Sequence, residues 1–182
     1  VAFVRGDVRA SVTRRLRRVK SARRRNSTDD ASPSFTRDSD EDAVRRAIRA
    51  ALEAKVEKTK CPAVLRLVFH DAGTYLESAK DGGMNASVRY ELNRPESFGL
   101  KRGLNVVKSA YDALDGTAAE GKVSFADMIS CAGAYAVEFT GGPSFMERVP
   151  LGRIDADAAD PENRMPEQTL SGKDMREHFA RS

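Results

Sequence analysis

Leu65-Arg66-Leu67-Val68-Phe69-His70-Asp71-Ala72-Gly73-Thr74 is the run from which the rest of this 182-residue chain takes its meaning. Its apolar character after Pro62 predicts a helix, in which Arg66, Phe69 and His70 stand at i, i+3 and i+4 and share one face. A guanidinium and an imidazole then point into one space beside an aromatic ring. An imidazole free of metal can take a proton from one oxygen of a bound peroxide and return it to the other, which leaves as water. A fixed guanidinium can stabilise the charge that develops as the O–O bond breaks. Taken alone, Arg-x-x-x-His is equally open to a plainer use, with His70 bonded to a backbone group of the core and Arg66 in a surface ion pair.

Other segments bear on that choice. Gly82-Gly83 to Glu91, Ser124-Phe125-Ala126-Asp127, Thr140-Gly141-Gly142-Pro143 and Gly152-Arg153-Ile154-Asp155 follow the first motif in order. Together with Arg66-Leu67-Val68-Phe69-His70-Asp71-Ala72-Gly73-Thr74 they resemble the distal half of plant-type, class I haem peroxidases. Tyr90 to Lys101, Tyr-Glu-Leu-Asn-Arg-Pro-Glu-Ser-Phe-Gly-Leu-Lys, is most similar to the ascorbate peroxidase-related branch. The likeness runs from about residue 40 to the last residue.

Composition narrows the alternatives. At 40% apolar and 32% charged, the chain suits one water-exposed domain with a real core. The longest apolar candidate, Met128 to Val137, falls short of the length a membrane span needs. The net charge of +4 conceals a division, because residues 1–25 hold ten Arg or Lys against one acid, and the remainder holds 21 bases against 26 acids. Residues 1–38 read as a basic, disordered organelle-targeting segment of the transit-peptide kind, with a nonspecific anion-binding arm as the competing use. A specific nucleic-acid module is not expected, since the part that folds is acidic and lacks a basic helix. Cys61 and Cys131 read as buried free thiols.

The pattern predicts an all-α body over residues 39–182. A first helix starts near Ser39, with Val44, Ile48, Leu52 and Val56 as its buried stripe and Arg45, Arg46, Arg49 and Glu53 off it. Pro62 suits the first turn of the helix that carries His70. Leu100, Leu104, Val107 and Tyr111 mark a third helix between Gly99 and Leu114. Ser124 caps a fourth, with Asp127 three residues on and small residues permitting close packing; Pro143 to Gln168 reads as irregular, and Ser171 with Asp174 starts a last helix.

The resemblance implies a haem-peroxidase fold, here ending before the proximal helices. It implies haem b as cofactor, hydrogen peroxide and a small organic electron donor as substrates, His70 as acid and base, Arg66 as electrophilic stabiliser and Phe69 as cofactor neighbour. It further implies Glu91 and Ser97 as partners of the distal histidine, with serine standing where the family usually has an asparagine that accepts the Nδ1 proton. A shorter hydroxyl is a less well anchored acceptor, which implies a less basic His70. The family's second, iron-binding histidine motif has no counterpart. Besides His70 only His178 exists, and its charged neighbours mark it as a surface residue. The expected product is therefore part of a chloroplast peroxidase, stromal rather than lumenal, with a mitochondrial destination as the other option. The alternative is a haem-free interaction or regulatory protein that keeps the distal half alone.

Overall fold

The computed structural model describes residues 39–167 and 169–181, all helix, turn and irregular segment; among them the sole β pairing is an isolated antiparallel bridge between Leu76 and Asp81. Among the described residues five helices are formed: α1 (Ser39–Lys55), α2 (Cys61–Ala72), α3 (Lys101–Asp112), α4 (Phe125–Phe139) and α5 (Gly172–Arg181). Short 3₁₀ turns at Lys58–Lys60, Ser87–Tyr90, Pro95–Ser97 and Met146–Arg148 punctuate the connections. The expected targeting segment, residues 1–38, lies outside the described residues.

The helices assemble as their stripes require. Val44, Ile48, Leu52 and Val56 of the first stripe are buried, and α1 lies chiefly on α3. α2 packs between α3 and α4, with Val64 and Leu67 in a core shared with Leu100, Val107, Met128 and Ile129. Each such side chain contributes about 1.5–3 kcal/mol through its burial. Two glycines let α2 lie close to its neighbours. A Cβ on Gly103 of α3 would stand 2.4 Å from the Ala63 carbonyl oxygen, and one on Gly133 of α4 would stand 2.8 Å from a Val68 methyl.

Arg45 departs from the stripe reading. It is 7% exposed, because its guanidinium reaches the Glu41 carboxylate at 2.6 Å and the Val149 carbonyl at 3.0 Å, and a paired guanidinium can be covered where a lone one cannot.

Two carboxylates, Asp127 and Asp155, fix the loops. Ser124 caps α4, its hydroxyl accepting the Asp127 N–H at 3.0 Å. Asp155 accepts the next two free donors of that helix end, Phe125 N–H at 3.1 Å and Ala126 N–H at 2.8 Å. Asp127 returns the contact, accepting Gly152 N–H at 2.8 Å, Arg153 N–H at 3.2 Å and the Arg153 guanidinium at 3.0 Å. The start of α4 and the segment 152–155 are thus tied in both directions. At the last helix, the Ser171 hydroxyl accepts the Asp174 N–H at 3.2 Å, as its spacing predicts.

Candidate active site

α2 carries Arg66, Phe69 and His70 to one cleft of about 430 Å³, which Glu96, Asn163, Met165, Pro166 and Glu167 complete. Helical spacing alone accounts for the first three, since one turn separates Arg66 from His70. His70 is 7% exposed, whereas Phe69 is 46% exposed and meets the imidazole edge to face at 6.1 Å. Burial and, after it, the Arg66 charge push the His70 pKa below its usual value, with Glu96 opposing them. His70 is therefore a neutral base at pH 7.

Arg66 is anchored by backbone rather than by an acid. Its guanidinium donates to the Phe98 carbonyl at 2.6 Å and to the Glu96 carbonyl at 3.0 Å. Both acceptors are uncharged, so the guanidinium keeps its full positive charge for the cleft. Nothing in the local sequence marks those two carbonyls, because every residue type offers the same group.

Glu91 and Ser97 are both buried, but neither forms a hydrogen bond with His70 among the described residues. The Glu91 carboxylate accepts Asp160 N–H at 3.0 Å and pairs with Arg94 at 3.1 Å. Arg94 also donates to the Asp160 carbonyl, so this cluster attaches the segment after Asp155 to the loop before α3. Ser97 takes part through its main chain, its N–H donating to the Arg94 carbonyl at 3.0 Å and its carbonyl accepting Leu100 N–H at 3.0 Å.

The far wall has its own supports. Arg164 donates to the Thr74 carbonyl at 3.0 Å and pairs with Asp81 at 2.6 Å, and Met165 lies over Gly73 so closely that a Cβ there would meet its sulfur at 2.5 Å. His178 is half-buried, with Nε2 3.0 Å from the Arg164 carbonyl, an arrangement that puts the proton on that nitrogen. Phe179 rests edge to face on Phe69 with ring centres 6.4 Å apart, which is direct contact.

Asp71 is the buried group of this region that the Arg66–His70 spacing does not single out. It is fully buried, accepting Ala86 N–H at 3.0 Å and Val88 N–H at 3.4 Å. The signal was present: Asp71 falls at i+7 and i+4 from Val64 and Leu67, on the core face of α2, where an acid must have a purpose.

Comparison with known proteins adds a lineage. The family model described as peroxidase matches residues 44–182. A protein of Arabidopsis thaliana bearing the name L-ascorbate peroxidase 6 is 48% identical over 126 residues, which is 69% of this chain and 37% of that protein. The peroxisomal L-ascorbate peroxidase 5 of the same plant is 38% identical over 138 residues, 73% of this chain and 46% of that one. The chain thus spans less than half the length of these relatives. The crystal structure of the TL29 protein from Arabidopsis thaliana superposes with a TM-score of 0.61 at 28% identity, over 78% of this chain and 67% of that one.

Proposed function

This chain belongs to the peroxidase family, and from that premise we propose that its body supplies the distal half of a haem-dependent enzyme that reduces hydrogen peroxide to water while oxidising a small organic reductant. One observation carries the reading: a buried, neutral His70 shares a cleft with a guanidinium that two carbonyls hold and that, among the described residues, pairs with no carboxylate. His70 accepts the proton of one peroxide oxygen on a ring nitrogen and delivers it to the other, which departs as water. Arg66 holds its place through two carbonyls and stabilises the negative charge on the separating oxygens without having to reorganise. The remaining oxygen becomes the second water with two electrons and two protons supplied on oxidation of the organic reductant.

Haem b is the group the family implies, and when bound it supplies the redox centre between reductant and peroxide. The residues present fit one face of it. Arg66, Phe69 and His70 would lie on that face, while none of the other lining residues is an imidazole or a thiolate. His178 is engaged with the Arg164 carbonyl and Phe179 with Phe69. Among the described residues, no imidazole or thiolate other than His70 is offered to that cleft.

The alternative is a haem-free interaction protein that keeps the distal half alone. A haem titration of the 182-residue chain, followed at the Soret band, separates the two, with His70→Ala and His178→Ala alongside. Under the peroxidase reading, protein that carries haem reacts with peroxide in stopped flow, and His70→Ala slows that step by about 10²–10⁴-fold. Saturable haem binding refutes the haem-free reading, and an unchanged rate in His70→Ala removes the proposed role of that residue.

For the compartment we propose the chloroplast, on the strength of the Arg-rich, acid-poor residues 1–25. A relative named as peroxisomal argues for another address. A fluorescent fusion of residues 1–38, seen in plastids or elsewhere, decides the matter.

A further inference from the structure

We propose that Asp71 is a positioning residue for the Arg66–His70 face, its carboxylate and the Arg66 guanidinium tying the strap 86–98 to α2 at its two ends. At one end the carboxylate accepts Ala86 N–H at 3.0 Å and Val88 N–H at 3.4 Å; at the other the guanidinium donates to the carbonyls of Glu96 and Phe98. Between them the strap is held by Glu91, through Asp160 N–H and Arg94. All of these attachments fix the same stretch, which brings Glu96 to the cleft.

The Asp71 end is under tension in two senses. Ala86 is held at φ +63°, a left-handed conformation that costs a residue with a Cβ and persists only where its surroundings impose it. The carboxylate that imposes it is itself fully buried. Its titratable neighbours are Glu91, at the end of the Ser87–Tyr90 turn, and Asp160 in the irregular segment, both disfavouring charge on it, while Arg94 pairs with Glu91. Arg89 donates from Nε to the Ala86 carbonyl at 3.0 Å, steadying the same residue from its other side. Burial first, and these acids after it, push the Asp71 pKa up to about 7 against the pull of the two backbone donors. Letting this end of the strap go exposes the carboxylate to water, where it ionises at its ordinary pKa, so the Asp71 end holds best with the carboxyl protonated and slackens as pH rises toward 7.

The test is amide hydrogen exchange of the full 182-residue chain between pH 5.5 and 8.5, corrected for intrinsic rates. It needs no haem, so it stands or falls separately from the peroxidase reading. Ala86 and Val88 should lose protection by about tenfold as pH rises from 5.5 to above 7, equivalent to about 1.4 kcal/mol. Asp71→Asn should abolish the step, Glu91→Gln should move it to lower pH, and Asp127→Asn should keep it. A step that survives in Asp71→Asn, or a wild-type profile without one, overturns the proposal. Should Asp71→Asn not fold, infrared difference spectra of the wild type serve instead: a buried protonated carboxyl band that fades through pH 7 supports the assignment, and its absence refutes it.

Discussion

Asp127→Ala should be a strongly destabilising substitution outside the cleft. The side chain is fully buried and accepts three donors from the segment 152–153, two of them main-chain N–H groups at 2.8 and 3.2 Å. Truncation leaves those N–H groups without their acceptor, at about 1–3 kcal/mol each where water cannot replace it, and frees the Arg153 guanidinium, which is partly exposed and recovers most of its loss by hydration. The cap itself survives, because it uses the Asp127 N–H and the Ser124 hydroxyl. A loss of about 3–4 kcal/mol follows, a large share of the roughly 5–15 kcal/mol that holds a domain of this size together. Urea unfolding followed by circular dichroism measures it, with Asp127→Asn, which keeps one carbonyl acceptor, falling between mutant and wild type. A loss below about 1 kcal/mol, or equal losses for Ala and Asn, would show that the N–H groups find other partners and that the staple has been overvalued.

Three further outcomes are expected. Gly103→Ala gains about 1 kcal/mol of helix propensity but drives a methyl into the Ala63 carbonyl, so that thermal unfolding should record a net loss of up to about 2 kcal/mol; an unchanged midpoint would mean that α2 and α3 can separate freely. Arg66→Gln removes a charge that depresses His70 while burial, the larger cause, remains, so the imidazole pKa should rise yet stay below its ordinary value in an NMR titration; no upward movement would deny the coupling of the pair. Asp71 binds its proton more tightly folded than unfolded, so the folded state is favoured at low pH and that advantage is lost as pH rises from about 4 to about 7, by roughly 4 kcal/mol in all. Asp71→Asn should flatten this contribution to stability measured at stepped pH, and an unaltered slope would contradict it.

The helices were legible because their information is local. The stripe from Val44 to Val56, Pro62 at the start of α2, and the Ser124 and Ser171 caps each need only a few consecutive residues to declare themselves. The convergence of Arg66, Phe69 and His70 belongs to the same class, being a matter of one helical turn. What escaped was long-range and carried by main chain. Asp127 reads as a capping acid from its spacing, yet its carboxylate is used 25 residues away on Gly152. Glu91, expected as the carboxylate of the distal-histidine network, also holds Asp160, 69 residues on, in a loop whose pairing no periodicity encodes. Arg45 misled for a related reason, since its cover depends on a carbonyl at Val149, and a carbonyl has no letter of its own.

The two glycines against α2 have one more consequence. With bare main chain of α3 on one flank and a gap shaped to a valine on the other, this helix is seated by notches, like a rod in a pair of bearings. Arg66 and His70 ride on that rod and are separated by a single turn, about 6 Å of axial rise. Wear at either bearing would shift them as a pair and leave their spacing intact. The relation at risk is that of the pair to everything fixed elsewhere, the carbonyls of Glu96 and Phe98 and the wall at 163–167, so damage to these glycines should show as a misaligned site before it shows as a broken one.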